Sequence, residues 1–130
     1  VAGSTTVTHY TLGTIRRIVV DFVGDVADGT IPDTVLPAFE GQLFEVLTNP
    51  GAVAPTDNYD VTLIDADGID RLQGVGEDRD TSTSEAVPIV YDALSPIHPV
   101  VSRTDVLTLK FANQSVNSAT GRVTLLYGPA

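Results

Sequence analysis

At 130 residues, with 42% apolar and 18% charged side chains, the chain has the size and composition of one folded domain rather than a disordered segment. Its formal net charge of −10 repels phosphate backbones and anionic bilayers, so neither nucleic acid nor a membrane is an expected partner. Without cysteine it can form neither disulfides nor thiolate sites, and no apolar run approaches the roughly 20 residues of a membrane span.

The N-terminal stretch is small, hydroxyl-rich and free of acids. It has neither the basic nor the apolar region of a secretion signal. Residues 1–11 are expected to form an extended arm. The segment Thr5, Thr6, Val7, Thr8, His9 and Tyr10 could add a strand to a partner's open sheet edge, where backbone hydrogen bonds supply affinity and alternate side chains set the register. The plainer alternative is a frayed terminus.

From residue 12 to 130 the dominant period is two. Thr14 to Val23 places Ile18, Val20 and Phe22 on one face and Arg17, Val19 and Asp21 on the other. Gln42 to Thr48 reads as a further strand, and Tyr59, Val61 and Leu63 define another. Leu107, Leu109 and Phe111 alternate with Thr108 and Lys110, and Val123, Leu125 and Tyr127 repeat the pattern. Turn signals fall at Gly24, Asp28-Gly29, Asn49-Pro50-Gly51, Asp67-Gly68, Ser95-Pro96 and Asn117 to Gly121. The best helical stretch, Thr34 to Phe39, is interrupted by Pro37. The pattern predicts an all-β chain folded as one antiparallel β-sandwich of about seven or eight short strands, immunoglobulin-like or jelly-roll.

Two connections can be read more closely. Asp67-Gly68, between Val61-Thr62-Leu63-Ile64 and Ile69-Asp70-Arg71-Leu72, suits a type I′ turn and predicts a tight hairpin. A second hairpin is expected to join the strand ending at Phe111 to the one starting at Arg122. Its long polar loop, Asn113 to Gly121, is either exposed and mobile or a contact site.

Candidate chemistry is sparse. Asp65-Ala66-Asp67-Gly68-Ile69-Asp70 has the look of an acidic cation loop. An EF-hand, however, wants glycine sixth and a bidentate Glu twelfth, whereas Gly68 stands fourth and Glu77 thirteenth from Asp65. Gly74-Val75-Gly76 lacks the third glycine and the following helix of a dinucleotide fingerprint, and Glu77, Asp78 and Asp80 crowd it with negative charge. Arg79 is expected to pair with Asp78 and Asp80. His9 and His98 belong to no Gly-x-Ser-x-Gly elbow or His-Glu-x-x-His pair, so each reads as a surface or structural group. No catalytic, metal or cofactor site is nominated, and no enzyme is expected. The four Tyr and four Phe, with no Trp, lie mostly in strand patterns and offer little stacking platform for a sugar.

One set of motifs has a family likeness. Leu47-Thr48-Asn49-Pro50-Gly51, Ala54-Pro55-Thr56-Asp57-Asn58-Tyr59-Asp60-Val61-Thr62-Leu63 and Asp65-Ala66-Asp67-Gly68-Ile69-Asp70 resemble small head proteins of tailed bacteriophages. Gly74-Val75-Gly76 with Arg79-Asp80-Thr81, and Ser118-Ala119-Thr120-Gly121-Arg122-Val123, extend the likeness over residues 12 to 127. The resemblance implies a capsid decoration, or cement, protein made in the host cytoplasm and carried on the outer capsid surface of the virion. Its partners would be the major capsid protein, whose adjacent subunits it clamps, and itself, as a homotrimer. Other virion components (head–tail joining, tail-tube or head-fibre proteins) form the alternative, and a carbohydrate-binding adhesion module a more distant one.

Overall fold

The computed structural model describes residues 1–92, 94 and 97–130. The Ser95-Pro96 turn signal lies outside the described residues. Among those residues there are nine strands and no helix: β1 Ser4–Tyr10, β2 Arg16–Val23, β3 Thr34–Val35, β4 Gly41–Pro50, β5 Asp60–Ile64, β6 Glu85–Pro88, β7 Val100–Val101, β8 Thr108–Ala112 and β9 Thr120–Gly128. They form two antiparallel sheets. The larger runs β1-β2-β9-β4-β6, with β7 also on β4, and the smaller runs β3-β8-β5. The chain is all-β, and its two sheets pack as a sandwich.

The period of two builds the core. Ile18, Val20 and Phe22 of β2 are buried beside Leu125, Val123 and Tyr127 of β9, because the register sets Ile18 opposite Leu125 and Val20 opposite Val123. In β4 the buried residues Leu43 and Val46 are three apart rather than two. A bulge explains this: Phe44 is the extra residue between Leu43, opposite Tyr127, and Glu45, opposite Leu126. The small sheet contributes Val61, Leu63 and Leu109 to the same cluster. The sheets meet through Phe22, whose ring centroid lies 5.0 Å from Phe111 and 6.3 Å from Tyr59. Each such side chain, fully buried, contributes roughly 1.5–3 kcal/mol.

Several elements differ from the sequence reading. Thr34 to Phe39 is extended, not helical. Thr34 and Val35 pair with Leu109 and Thr108, and the Leu36 amide continues the ladder to the Leu107 carbonyl at 2.9 Å. Pro37 holds the residue before it out of helical geometry, and Leu36 and Phe39 are both buried anchors. The predicted turn at Asn49-Pro50-Gly51 begins later than expected, since β4 runs through Pro50 in register with Gly121. Proline is tolerated there, at a strand end.

The strands expected to form the second hairpin lie in different sheets, β8 in the small one and β9 in the large. Their connection therefore crosses the end of the sandwich, held by Gln114, which is 8% exposed. The Gln114 amide group donates to the carbonyls of Gly29 (2.6 Å) and Val116 (3.1 Å), and its oxygen accepts from the Thr56 amide (3.0 Å). The loop is thus tied to the rest of the molecule at Gln114.

The turn at Asp67-Gly68 is also of another kind. Neither Ala66 nor Asp67 has a positive φ, as type I′ demands. The Asp65 carbonyl accepts from the Gly68 amide, the Asp65 amide donates to the Ile69 carbonyl, and Gly68 alone adopts a positive φ, 80°. The returning strand is only a bridge between Ile64 and Asp70. After it, the Asp70 carboxylate accepts the amides of Leu63, Leu72 and Gly74, each at 3.0 Å, and bends the chain away.

Candidate functional site

The N-terminal segment does not project. Its alternation makes β1 an edge strand of the chain's own sheet, with Ser4 to Tyr10 paired along β2 from Val23 to Arg17. Thr5, Val7 and His9 are half-buried and face inward, while Ser4, Thr6, Thr8 and Tyr10 are exposed. Three inward contacts secure the strand. Thr5 Oγ1 lies 2.7 Å from Thr34 Oγ1 of the small sheet, Val7 packs against the core, and His9 Nε2 lies 2.6 Å from the Tyr127 hydroxyl.

Of the six residues expected to contact a partner, Thr5, Val7 and His9 are thus turned toward the protein itself. Thr6, Thr8 and Tyr10 remain outside, and Arg17 sits 4.6 Å over the Tyr10 ring. The outer edge of β1 pairs with no strand of the described residues. An open edge is usually guarded by charge, proline, a bulge or brevity. The seven residues Ser-Thr-Thr-Val-Thr-His-Tyr contain no Lys, Asp, Glu or Pro, and their register along β2 is unbroken.

Beside the Tyr10 end of β1 a cavity of about 640 Å³ opens. Tyr127 forms its base and is only 2% exposed. Arg16, Arg103 and Glu40 line it, together with Gly13, Gly41 and Gly128. Gly41, at φ 131°, comes so close to β9 that a Cβ would stand 2.0 Å from the Gly128 carbonyl oxygen. Burial lowers the His9 pKa from its ordinary 6.5, and the Arg16 charge adds to the effect. Burial raises the Tyr127 pKa, opposed by Arg16 and Arg103. The strand pattern carries a signal for this cluster, since Arg16 falls on the same alternation as Ile18, Val20 and Phe22, at the exposed first position of β2. The approach of Arg103 and Glu40 is set by loops and has no signal in the chain order.

The remaining candidates are accounted for by the fold. Asp65 Oδ1 accepts the amides of Asp67 and Ile69, and these bonds, the Ile69 one foremost, hold its pKa below the ordinary carboxylate value. Its other oxygen lies 3.6 Å from Arg71, which also faces Asp105 at 3.6 Å. Among the described residues no group of three His, Cys, Asp or Glu is placed to hold a metal ion, and no helix is long and apolar enough to cross a membrane. Arg79 pairs with Glu85 at 3.5 Å rather than with its chain neighbours, because Asp80 spends its carboxylate on the Ser82 and Thr83 amides. In Gly74-Val75-Gly76, the Gly76 carbonyl accepts from the Val61 amide, shielding the edge of β5. His98 Nδ1 bonds the Ile89 carbonyl at 2.8 Å, with its ring edge-on to Phe44.

No protein-family model matches the chain, and neither a curated protein nor a solved structure matches it.

Proposed function

We propose that this protein is an assembly component that docks through the open edge of β1, and specifically a capsid decoration protein of a tailed bacteriophage. In this reading it performs no bond-making of its own. It binds the outside of the shell, clamps adjacent major capsid subunits, and does so as a homotrimer. The observation that carries the reading is the unguarded β1 edge on a molecule of net charge −10. A strand without charge or proline offers its backbone to a neighbouring sheet, while the acidity of the rest keeps the free protein soluble and favours a basic rim on the target. The likeness of residues 12 to 127 to phage head proteins supplies the identity of that target. Many identical copies then let modest single contacts sum.

The test is sedimentation of the protein with phage capsids stripped of it. Wild type is expected to return in icosahedral copy number. Thr6→Lys with Thr8→Lys, on the outer face where folding is undisturbed, should weaken binding at least about tenfold. Unchanged binding by that variant removes β1 as the docking edge. Recovery in ring-shaped multiplicity at the portal or along the tail replaces decoration with a joining or tube role.

A further inference from the structure

We infer that the cavity between β2, β9 and the loops at Glu40 and Arg103 is a binding site for a small oxyanion, a carboxylate or phosphate group, held by Arg16 with help from Arg103 and the Tyr127 hydroxyl. The inference is independent of docking through the β1 edge.

The distribution of positive charge points to it. The chain has seven Lys and Arg against seventeen Asp and Glu, so every cation has acids to choose from. Five have taken one: Arg71, Arg79, Arg103, Lys110 and Arg122 each stand within 3.8 Å of a carboxylate. Among the described residues Arg16 and Arg17 have none. Arg17 lies on the outer face and is occupied by the Tyr10 ring. Arg16 stands opposite Tyr127 in register, on the same alternation as Ile18, Val20 and Phe22 but at the exposed first position of β2. The Arg16 side chain is exposed, so its guanidinium is open to a ligand arriving from solvent, and its planar fork matches an oxyanion two bonds at a time.

The rest of the cavity agrees. Arg16 Nε donates to the Gly13 carbonyl at 3.1 Å, and the guanidinium sits beside the Tyr127 hydroxyl, whose pKa it lowers, so the two groups can act on one ligand together. Arg103 is held only by Glu40, at 3.0 Å, with both side chains 63% exposed. Such a surface pair is worth about 0–1 kcal/mol and exchanges readily for a better partner. The Tyr127 hydroxyl, oriented by His9, adds a polar group at the base. The volume of about 640 Å³ falls within the range of small-molecule sites, and the walls are apolar where Val100 and Val101 contribute.

The experiment is an NMR titration of the full chain, at fixed ionic strength, with inorganic phosphate in one arm and acetate in the other. At least one anion is expected to produce saturable shifts at Gly13, Gly41 and the Tyr127 ring, and comparison of the arms assigns phosphate or carboxylate. Arg16→Gln should weaken that binding at least about tenfold, and Arg16→Lys should recover part of it. Arg17→Gln, which removes the same charge from the other face one residue away, should change it by less than about twofold. Equal loss in the Arg16 and Arg17 variants would reduce the effect to general charge and overturn the site, as would the absence of saturable shifts in both arms.

Discussion

His9 and Tyr127 join the outermost strand of the large sheet to its middle. The 2.6 Å bond between His9 Nε2 and the Tyr127 hydroxyl passes over β2 on the inward face, so β1 is fastened by a side chain as well as by its ladder. Because burial and Arg16 depress the His9 pKa below 6.5, the folded protein holds the ring neutral. The stability this supplies is complete above about pH 6.5 and is lost as pH falls through the folded value, where protonation sets a second positive charge beside Arg16. Amide protection of Val7 to Tyr10, taken relative to the intrinsic exchange rate at each pH, should fall over that window, ahead of protection in β9. Arg16→Gln should raise the His9 pKa in an NMR titration. Protection in β1 that stays constant as pH falls below 6.5 would contradict the account.

Gln114 is the joint between the sheets. Its side chain bonds Gly29, Val116 and Thr56 from within the end of the sandwich. Gln114→Leu leaves those groups without partners, and each unsatisfied group costs about 1–3 kcal/mol. Urea denaturation should show a loss of at least about 2 kcal/mol. A change smaller than about 0.5 kcal/mol would mean that water replaces the side chain without penalty.

Tyr59 sets the behaviour at high pH. The ring is fully buried, and burial pushes its pKa up to about 12. Thr48 lies near enough to oppose that shift, yet neither Thr48 Oγ1 nor the Tyr59 hydroxyl has a hydrogen-bond partner among the described residues. Unfolding frees the phenol to ionise at about 10. Stability is therefore full below pH 10 and declines as pH rises toward 12. Tyr59→Phe should fold with stability within about 1 kcal/mol of wild type, since an unpartnered hydroxyl contributes little, and should flatten the decline. A Tyr59→Phe protein with an unaltered profile would place the titration elsewhere.

Asp70 organises the bend after β5 by accepting three amides. Asp70→Ala leaves the Leu63 and Leu72 donors half-buried and unpaired, and thermal unfolding should fall by the equivalent of about 2–4 kcal/mol. Asp70→Asn keeps one acceptor oxygen and should recover part of that. Equal melting temperatures for all three proteins would show that the bend holds itself.

Sequence alone determined the all-β class, because alternation of apolar and polar residues depends only on chain order and the strand's period of two. It located β2, β4, β5, β8 and β9 for that reason. It gave no means of placing β8 and β9 in separate sheets: a polar loop of that length closes a hairpin or crosses a sandwich equally well, and only the pocket that buries Gln114 chooses between them. Propensity likewise left Thr34 to Phe39 undecided until Leu107 and Leu109 offered it a ladder. The pairing of β1 with its own β2 was settled the same way, by core contacts with Thr34 and Tyr127 that lie distant in the chain. Local pattern thus fixes which way side chains point, while the partners they meet depend on long-range packing, which no local pattern encodes.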